Sequence, residues 1–232
     1  MQSRQRAPTR QSALTLILSR APRQILSRIK SKGTDQPLSL AAQDDSFLHE
    51  RARSLMSSSR CRFYRLEIAL DQMPATEKVA DYPRPPRIEL VKGSVAVRIG
   101  DECIATDTKY ARVCETFHPP TIYIDPSAFK AGTLHATSGR PSFCEWKGIA
   151  SYWDLSTSNG SDVRTRAGWS YPNPTPRFDS FAGWISLYPR LVDECLLEGE
   201  PVTPQPGTFY GGWISSWTIG PFKGDPAHPE LI

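Results

Sequence analysis

No run of about eighteen apolar residues occurs in this 232-residue chain, so no helical membrane span is expected. No Cys-x-x-Cys occurs either, which leaves out the paired knuckles of many structural zinc sites. Five cysteines, Cys61, Cys103, Cys114, Cys144 and Cys195, are widely spaced, and one would stay unpaired if the others bridged. A reduced, intracellular chain is the simpler expectation. Asp-x-Asp is missing as well, and with it one compact way to bring two carboxylates to Mg²⁺. Acidic residues are absent before Asp35, where eight Lys/Arg stand.

What is present divides the chain in two. Residues 1–72 carry thirteen Lys/Arg and six Asp/Glu, whereas residues 73–232 carry fifteen and eighteen. The formal charge of +4 therefore belongs to the first segment. The remainder has no basic excess to hold phosphate backbones, so no nucleic-acid partner is expected. In the first segment Leu14, Leu16, Ile17, Leu18, Ile25, Leu26 and Ile29 could form one face of a helix. An Arg-rich, Ser-rich, acid-poor amphipathic start has the character of a mitochondrial or plastid transit peptide. The alternative is that Met73, opening "MPATEKVADYPRPPRIEL", is the working start, and that 1–72 is a disordered or non-native extension. Either way the expected division is an extension over 1–72 and one domain over 73–232. The expected location is the cytoplasm, or the mitochondrion if residues 1–34 are a true transit peptide.

Twenty-one prolines, fifteen glycines and 10% aromatic residues, with all six tryptophans between Trp146 and Trp217, point to many short strands joined by turns. Val95, Val97 and Ile99 alternate with Ala96 and Arg98, and Gly100-Asp101 supplies a two-residue turn into "ECIAT". "ARVCET", "TIYID", "TLHATS", "SFCEWKG", "IASYWDLS", "VRTRAGWSYP", "AGWISLYP", "LVDECLLEG" and "TFYGGWISSWTIG" read as further strands. "DPSAFKAG" reads as one helical turn, with Asp125 as N-cap, Pro126 at the first position and Gly132 as stop. The pattern predicts a single compact all-β domain, a sandwich or irregular barrel-like fold of about ten strands, which at this size buries roughly two-thirds of its unfolded surface.

Seven stretches, "YPRPPRIE", "ETFHPPTIYI", "EWKGIASYW", "GWSYPNP", "GWISLYP", "EGEPVTPQPGTFYGGWI" and "GPFKG", resemble in content and order the domain-of-unknown-function 427 family, sometimes labelled nucleotidyltransferase-like. The resemblance spans about Tyr82 to Gly224. It implies a small β-rich domain of the β-tent, or Mss4-like, kind, and it implies no established activity. The family's compact domain begins near "YPRPP", which favours Met73 as the working start. Nucleotidyl transfer is the least favoured activity. Asp101, Glu102 and Asp107 read as a hairpin and its strand, and "TFYGGWI" runs into a strand rather than a helix N-terminus, so it lacks a phosphate-binding dipole.

Three constellations carry candidate chemistry. In "FCEWKG" strand alternation would send Cys144 and Trp146 one way and Glu145 and Lys147 the other; the plainer reading is a core pair and a solvated pair. In "RVCETFHPPTIY" Glu115 and His118 precede a rigid Pro-Pro corner and could act as general base and orienting partner, with Arg112 as an anion anchor. A histidine capping a turn is the plainer reading there. Cys114 and His118 have Cys-x₃-His spacing but no second paired motif, so no metal or other cofactor is expected. In the third, Gly211-Gly212 allow a close backbone approach, and Lys223 sits in a loop. The expected catalytic candidates are Glu115, His118, Glu145 and Lys147. The expected ligand-binding candidates are Arg112, Tyr123, Trp146, Trp169, Tyr171, Tyr210, Trp213 and Lys223. Together they suggest an aromatic-lined pocket for a small polar or aromatic molecule, with acid–base capacity. The alternatives are a non-catalytic protein-interaction module and nucleotidyl transfer. A monomer or homodimer without a membrane partner is expected. Fused to a reporter, residues 1–50 should direct it to an organelle if they form a transit peptide; a diffuse cytosolic signal rules that reading out.

Overall fold

A computed structural model describes residues 74–231, and the transit-peptide-like segment lies outside the described residues. Fourteen strands run through them: β1 (Glu77–Lys78), β2 (Arg87–Ile99), β3 (Glu102–Cys114), β4 (Thr121–Tyr123), β5 (Leu134–Ala136), β6 (Ser142–Cys144), β7 (Gly148–Ser156), β8 (Val163–Ser170), β9 (Ser186–Leu187), β10 (Glu194–Leu197), β11 (Glu200–Pro201), β12 (Thr203–Pro204), β13 (Trp213–Ile214) and β14 (Thr218–Ile219). The only helical pieces among the described residues are 3₁₀ turns. The all-β class holds. Fourteen strands replace about ten because proline-rich stretches break pairing into two-residue pieces, proline having no N–H to donate.

The backbone of the fold is one long hairpin. The two thirteen-residue strands β2 and β3 pair from Arg87 opposite Cys114 to Ile99 opposite Glu102. Gly100 turns the corner at φ 55°, a left-handed conformation that glycine adopts freely. One sheet runs β11-β10-β2-β3-β4, and the other runs β5-β7-β8-β9 with β6 beside β7. They meet just past β4 and just before β9. There the backbones of Ile124 and Ile185 exchange two hydrogen bonds of 2.8 Å.

The main core draws on both sheets. Val95, Val97 and Ile99, the expected inward set, pack with Ile104, Ile122, Leu155, Leu187, Trp213 and Trp217. Burying one such aliphatic side chain contributes about 1.5–3 kcal/mol. A second cluster gathers Ala111, Val113, Tyr123, Ala150, Trp169, Tyr171, Phe178 and Phe181. Strand β4 serves both: Ile122 belongs to the main core and Tyr123 to the second cluster, as period-two alternation requires. The helical turn at Asp125 is present, and its carboxylate accepts from Ser127 N–H at 2.9 Å. It ends at Ala128 rather than near Gly132, because the buried Phe129 bridges back to Ala105. Cys114, Cys144 and Cys195 are free thiols.

Arg112 ties the N-terminal strand to the hairpin. Its Nη1 and Nη2 donate to the two carboxylate oxygens of Glu77 at 2.5 and 2.9 Å, and its Nε donates to Glu89. Burial pushes the Glu89 carboxyl up, but the Arg112 and Arg87 guanidiniums outweigh it and hold the group below the usual carboxylate range. A carboxylate with a depressed folded pKa adds stability above its unfolded value of about 4.3 and loses it as the pH falls further. Arg112→Leu strands two partly buried carboxylates. It should cost roughly 3 kcal/mol at neutral pH, with the gap to wild type narrowing below about pH 4, measured by chemical denaturation.

Candidate functional site

A cavity of about 290 Å³ opens over the second cluster. Its wall is a set of rings. Tyr123 comes from β4, Tyr152 from β7, Trp169 from β8, and Tyr171 and Tyr188 from the segments that follow. Trp169 and Tyr188 pack at 4.5 Å between centroids. Tyr123 is fully buried; its oxygen faces the Trp169 indole N–H, and its proton finds no acceptor among the described residues. Burial holds the Tyr123 and Tyr171 hydroxyls well above the ordinary phenol range, so both keep their protons as donors.

The Gly-Gly pair makes this wall possible. A Cβ on Gly211 would overlap the Trp169 ring, and a Cβ on Gly212 would overlap Gln205 Oε1 and Pro119. The close approach inferred from the sequence is to the Trp169 ring at Gly211, and to the Gln205 amide and the ring and carbonyl of Pro119 at Gly212.

The "FCEWKG" expectation needs correction. Strand β6 ends at Cys144, and Glu145–Lys147 form a turn into Gly148, whose φ of 89° suits glycine. Period-two alternation stops there, so Glu145 and Lys147 are not a pair on one face. Lys147 is turned inward and is only 8% exposed, whereas the Glu145 side chain is 64% exposed. The Lys147 ammonium lies 5.6 Å from the Tyr171 ring centroid and 5.5 Å from that of Phe178. No carboxylate among the described residues stands within salt-bridge distance of it.

His118 is held by an amide that sequence reasoning missed. Gln205 Oε1 accepts from Gly212 N–H at 3.2 Å, and its Nε2 donates to Lys223 C=O at 2.8 Å. Those two bonds orient the amide, so Nε2 also donates to His118 Nδ1, at 3.2 Å. The imidazole proton then sits on Nε2. Burial, with Lys223 and Lys147 adding to it, pushes the His118 pKa down to about 4 against the pull of Glu115. His118 is thus a neutral N–H donor near pH 7 with its basic nitrogen engaged. The expected His/Glu general-base pair does not form.

The mouth is an ion cluster. Arg84 Nη2 lies 2.8 Å from Glu145 Oε1 and 3.3 Å from Glu115 Oε1. Glu115 Oε1 also accepts from Trp146 Nε1 at 3.3 Å, and the Arg84 guanidinium stands 5.6 Å from the Trp146 ring. Phe143 and Phe209, each 78% exposed, complete the rim.

Of the residues singled out from sequence, Glu115, His118, Glu145, Lys147, Tyr123, Trp146, Trp169, Tyr171, Tyr210 and Lys223 line this one cavity. Arg112 and Trp213 do not. Arg112 alternates with Val113 on β3, and Val113 is the one facing the cavity. Trp213 is fully buried in the main core, donating to Leu187 C=O at 3.3 Å. Arg84, Cys144, Tyr152 and Tyr188 also line the cavity. The only sequence signal for Arg84 was its place in a stiff "PRPP" segment, where a side chain is held at a fixed angle. Cys114 and His118 do not share a site: Cys114 packs with Val79 and Tyr82.

A family model described as a domain of unknown function (DUF427) matches residues 87–198. The match covers the hairpin, both sheets' central strands and most of the ring wall, and leaves Arg84, Gln205, Tyr210 and Lys223 outside it. No curated protein matches the chain.

A histidine whose folded pKa is depressed destabilises the fold as pH falls from its unfolded value toward its folded one. Stability should therefore drop between about pH 6.5 and pH 4. The His118 imidazole resonances should stay those of the Nε2–H tautomer until about pH 4. His118→Phe should flatten that part of the stability curve.

Proposed function

We propose, for a chain that belongs through residues 87–198 to the domain-of-unknown-function 427 family, that its β-domain binds a small polar or aromatic molecule in this cavity. The observation that carries the reading is a juxtaposition. A buried lysine with no carboxylate within salt-bridge distance among the described residues, and a buried tyrosine whose hydroxyl proton finds no acceptor among them, share one ring-lined cavity. A polar partner for the hydroxyl would contribute about 1 kcal/mol, and an anion beside the ammonium would form a charge-assisted hydrogen bond of roughly twice that strength. A volume of about 290 Å³ lies at the lower end of ligand pockets, roughly 300–1,000 Å³. That scale suits a small metabolite.

Acid–base chemistry is the weaker part. Both cavity carboxylates are drawn to Arg84, and the basic nitrogen of His118 is engaged. Nucleotidyl transfer finds no support in this arrangement, since the described residues contain no group of three His, Cys, Asp or Glu placed to hold a metal ion. One observation favours an interaction module instead. Phe143, Phe209 and Ile149, the last paired with Phe143 across β6 and β7, are exposed at or beside the rim. Among the described residues no helix is long and apolar enough to cross a membrane.

Tyr123→Phe separates a binding role from a structural one. It removes a hydroxyl whose proton finds no acceptor among the described residues but which faces the Trp169 N–H, so the variant should be about as stable as wild type, within roughly 1 kcal/mol. The native mass of the purified full chain should exceed its denatured mass by that of a small molecule, and Tyr123→Phe should lower the occupancy. A wild type with no excess mass, or a variant that is less stable and equally occupied, counts against the proposal.

A further inference from the structure

Resting on the pocket just proposed, we infer that its ligand is a small aromatic oxyanion whose charged end meets Lys147. The cavity holds three cations, Arg84, Lys147 and Lys223, and two carboxylates, Glu115 and Glu145. Both carboxylates lie within 3.3 Å of the single Arg84 Nη2 at the mouth. The lysines are left with rings for neighbours, Lys223 Nζ standing 5.7 Å from the Tyr210 centroid. Positive charge is thus uncompensated inside, and it is most deeply buried at Lys147.

The hydrogen-bond polarity agrees. The nitrogen of His118 left free by Gln205 carries a proton, and the Tyr123 hydroxyl is an unused donor. The cavity lining therefore offers donors and positive charge, which an oxyanion satisfies and an ammonium or a simple hydrocarbon does not. The walls decide the rest of the molecule. Trp169, Tyr171 and Tyr188 line the cavity, and planar rings pack on aromatic side chains favourably.

Four probes of matched shape test this on the full chain: benzoate, phenyl phosphate, benzamide and benzylamine, each titrated while tryptophan fluorescence is followed. Benzoate or phenyl phosphate should bind at least tenfold more tightly than benzamide, and benzylamine least. The tighter of the two anions identifies a carboxylate or a phosphate ester as the headgroup. Lys147→Met should abolish the tenfold advantage, Lys147→Arg should retain most of it, and thermal melting should show both variants folded. Lys223→Met, in the segment after β14, serves if Lys147→Met does not fold, and should reduce the advantage severalfold. Benzamide or benzylamine binding as well as the anions overturns the charge assignment and leaves the pocket standing. No response to any of the four overturns both.

Discussion

Two reciprocal backbone hydrogen bonds between Ile124 and Ile185 hold the candidate site together. They are the seam at which the hairpin sheet meets the second sheet. Because β-strands alternate faces, the seam sends Ile122 and Ile124 into the main core and Tyr123 into the ring cluster. The strand that joins the sheets therefore also supplies the cavity's most deeply buried hydroxyl. Trp169 and Tyr171 arrive from β8 and its exit, next to β9 on the far side of the same seam. The cavity is a consequence of how the sheets are joined.

Three cationic side chains show how the fold uses charge. Arg112 is bidentate to Glu77 and also bonded to Glu89, an arrangement that fixes β1 to the hairpin. Arg84 holds two carboxylates at the mouth, one of them largely exposed, where solvent screening leaves such a pair worth little to stability. Lys147 is buried against rings with no carboxylate within salt-bridge distance among the described residues. Only the third arrangement lacks a counter-charge among the described residues, and the proposed binding role rests on it.

The second organising device is the chain of contacts behind His118. Gly212 has no side chain, so Gln205 can approach; Gln205 then orients His118 and anchors the Lys223 backbone. Its neighbour Gly211 leaves room for the Trp169 ring. Two adjacent glycines thus set the position of a hydrogen-bond donor and of an aromatic wall. A glycine pair in a strand-like segment is often a bulge; here its role depends on what packs against it from Pro119, Gln205 and Trp169.

The amino-acid sequence alone determined the all-β class, the Gly100-Asp101 hairpin, the inward set Val95, Val97 and Ile99, and ten of the twenty residues that line the cavity. Those features depend on periodicity, turn chemistry and composition, which are local properties of a chain. Tertiary structure decided the rest. Arg112 and Trp213 are removed from the site by strand facing and core burial, and Arg84 and Gln205 enter it from segments that read only as proline-rich connections. It also reversed the reading of "CEWKG". The strand stops at Cys144, so Lys147 turns inward while Glu145 stays out, and strand alternation no longer applies. Which residues converge depends on sheet order and on where each strand ends, and both are set by contacts between parts of the chain far apart in sequence.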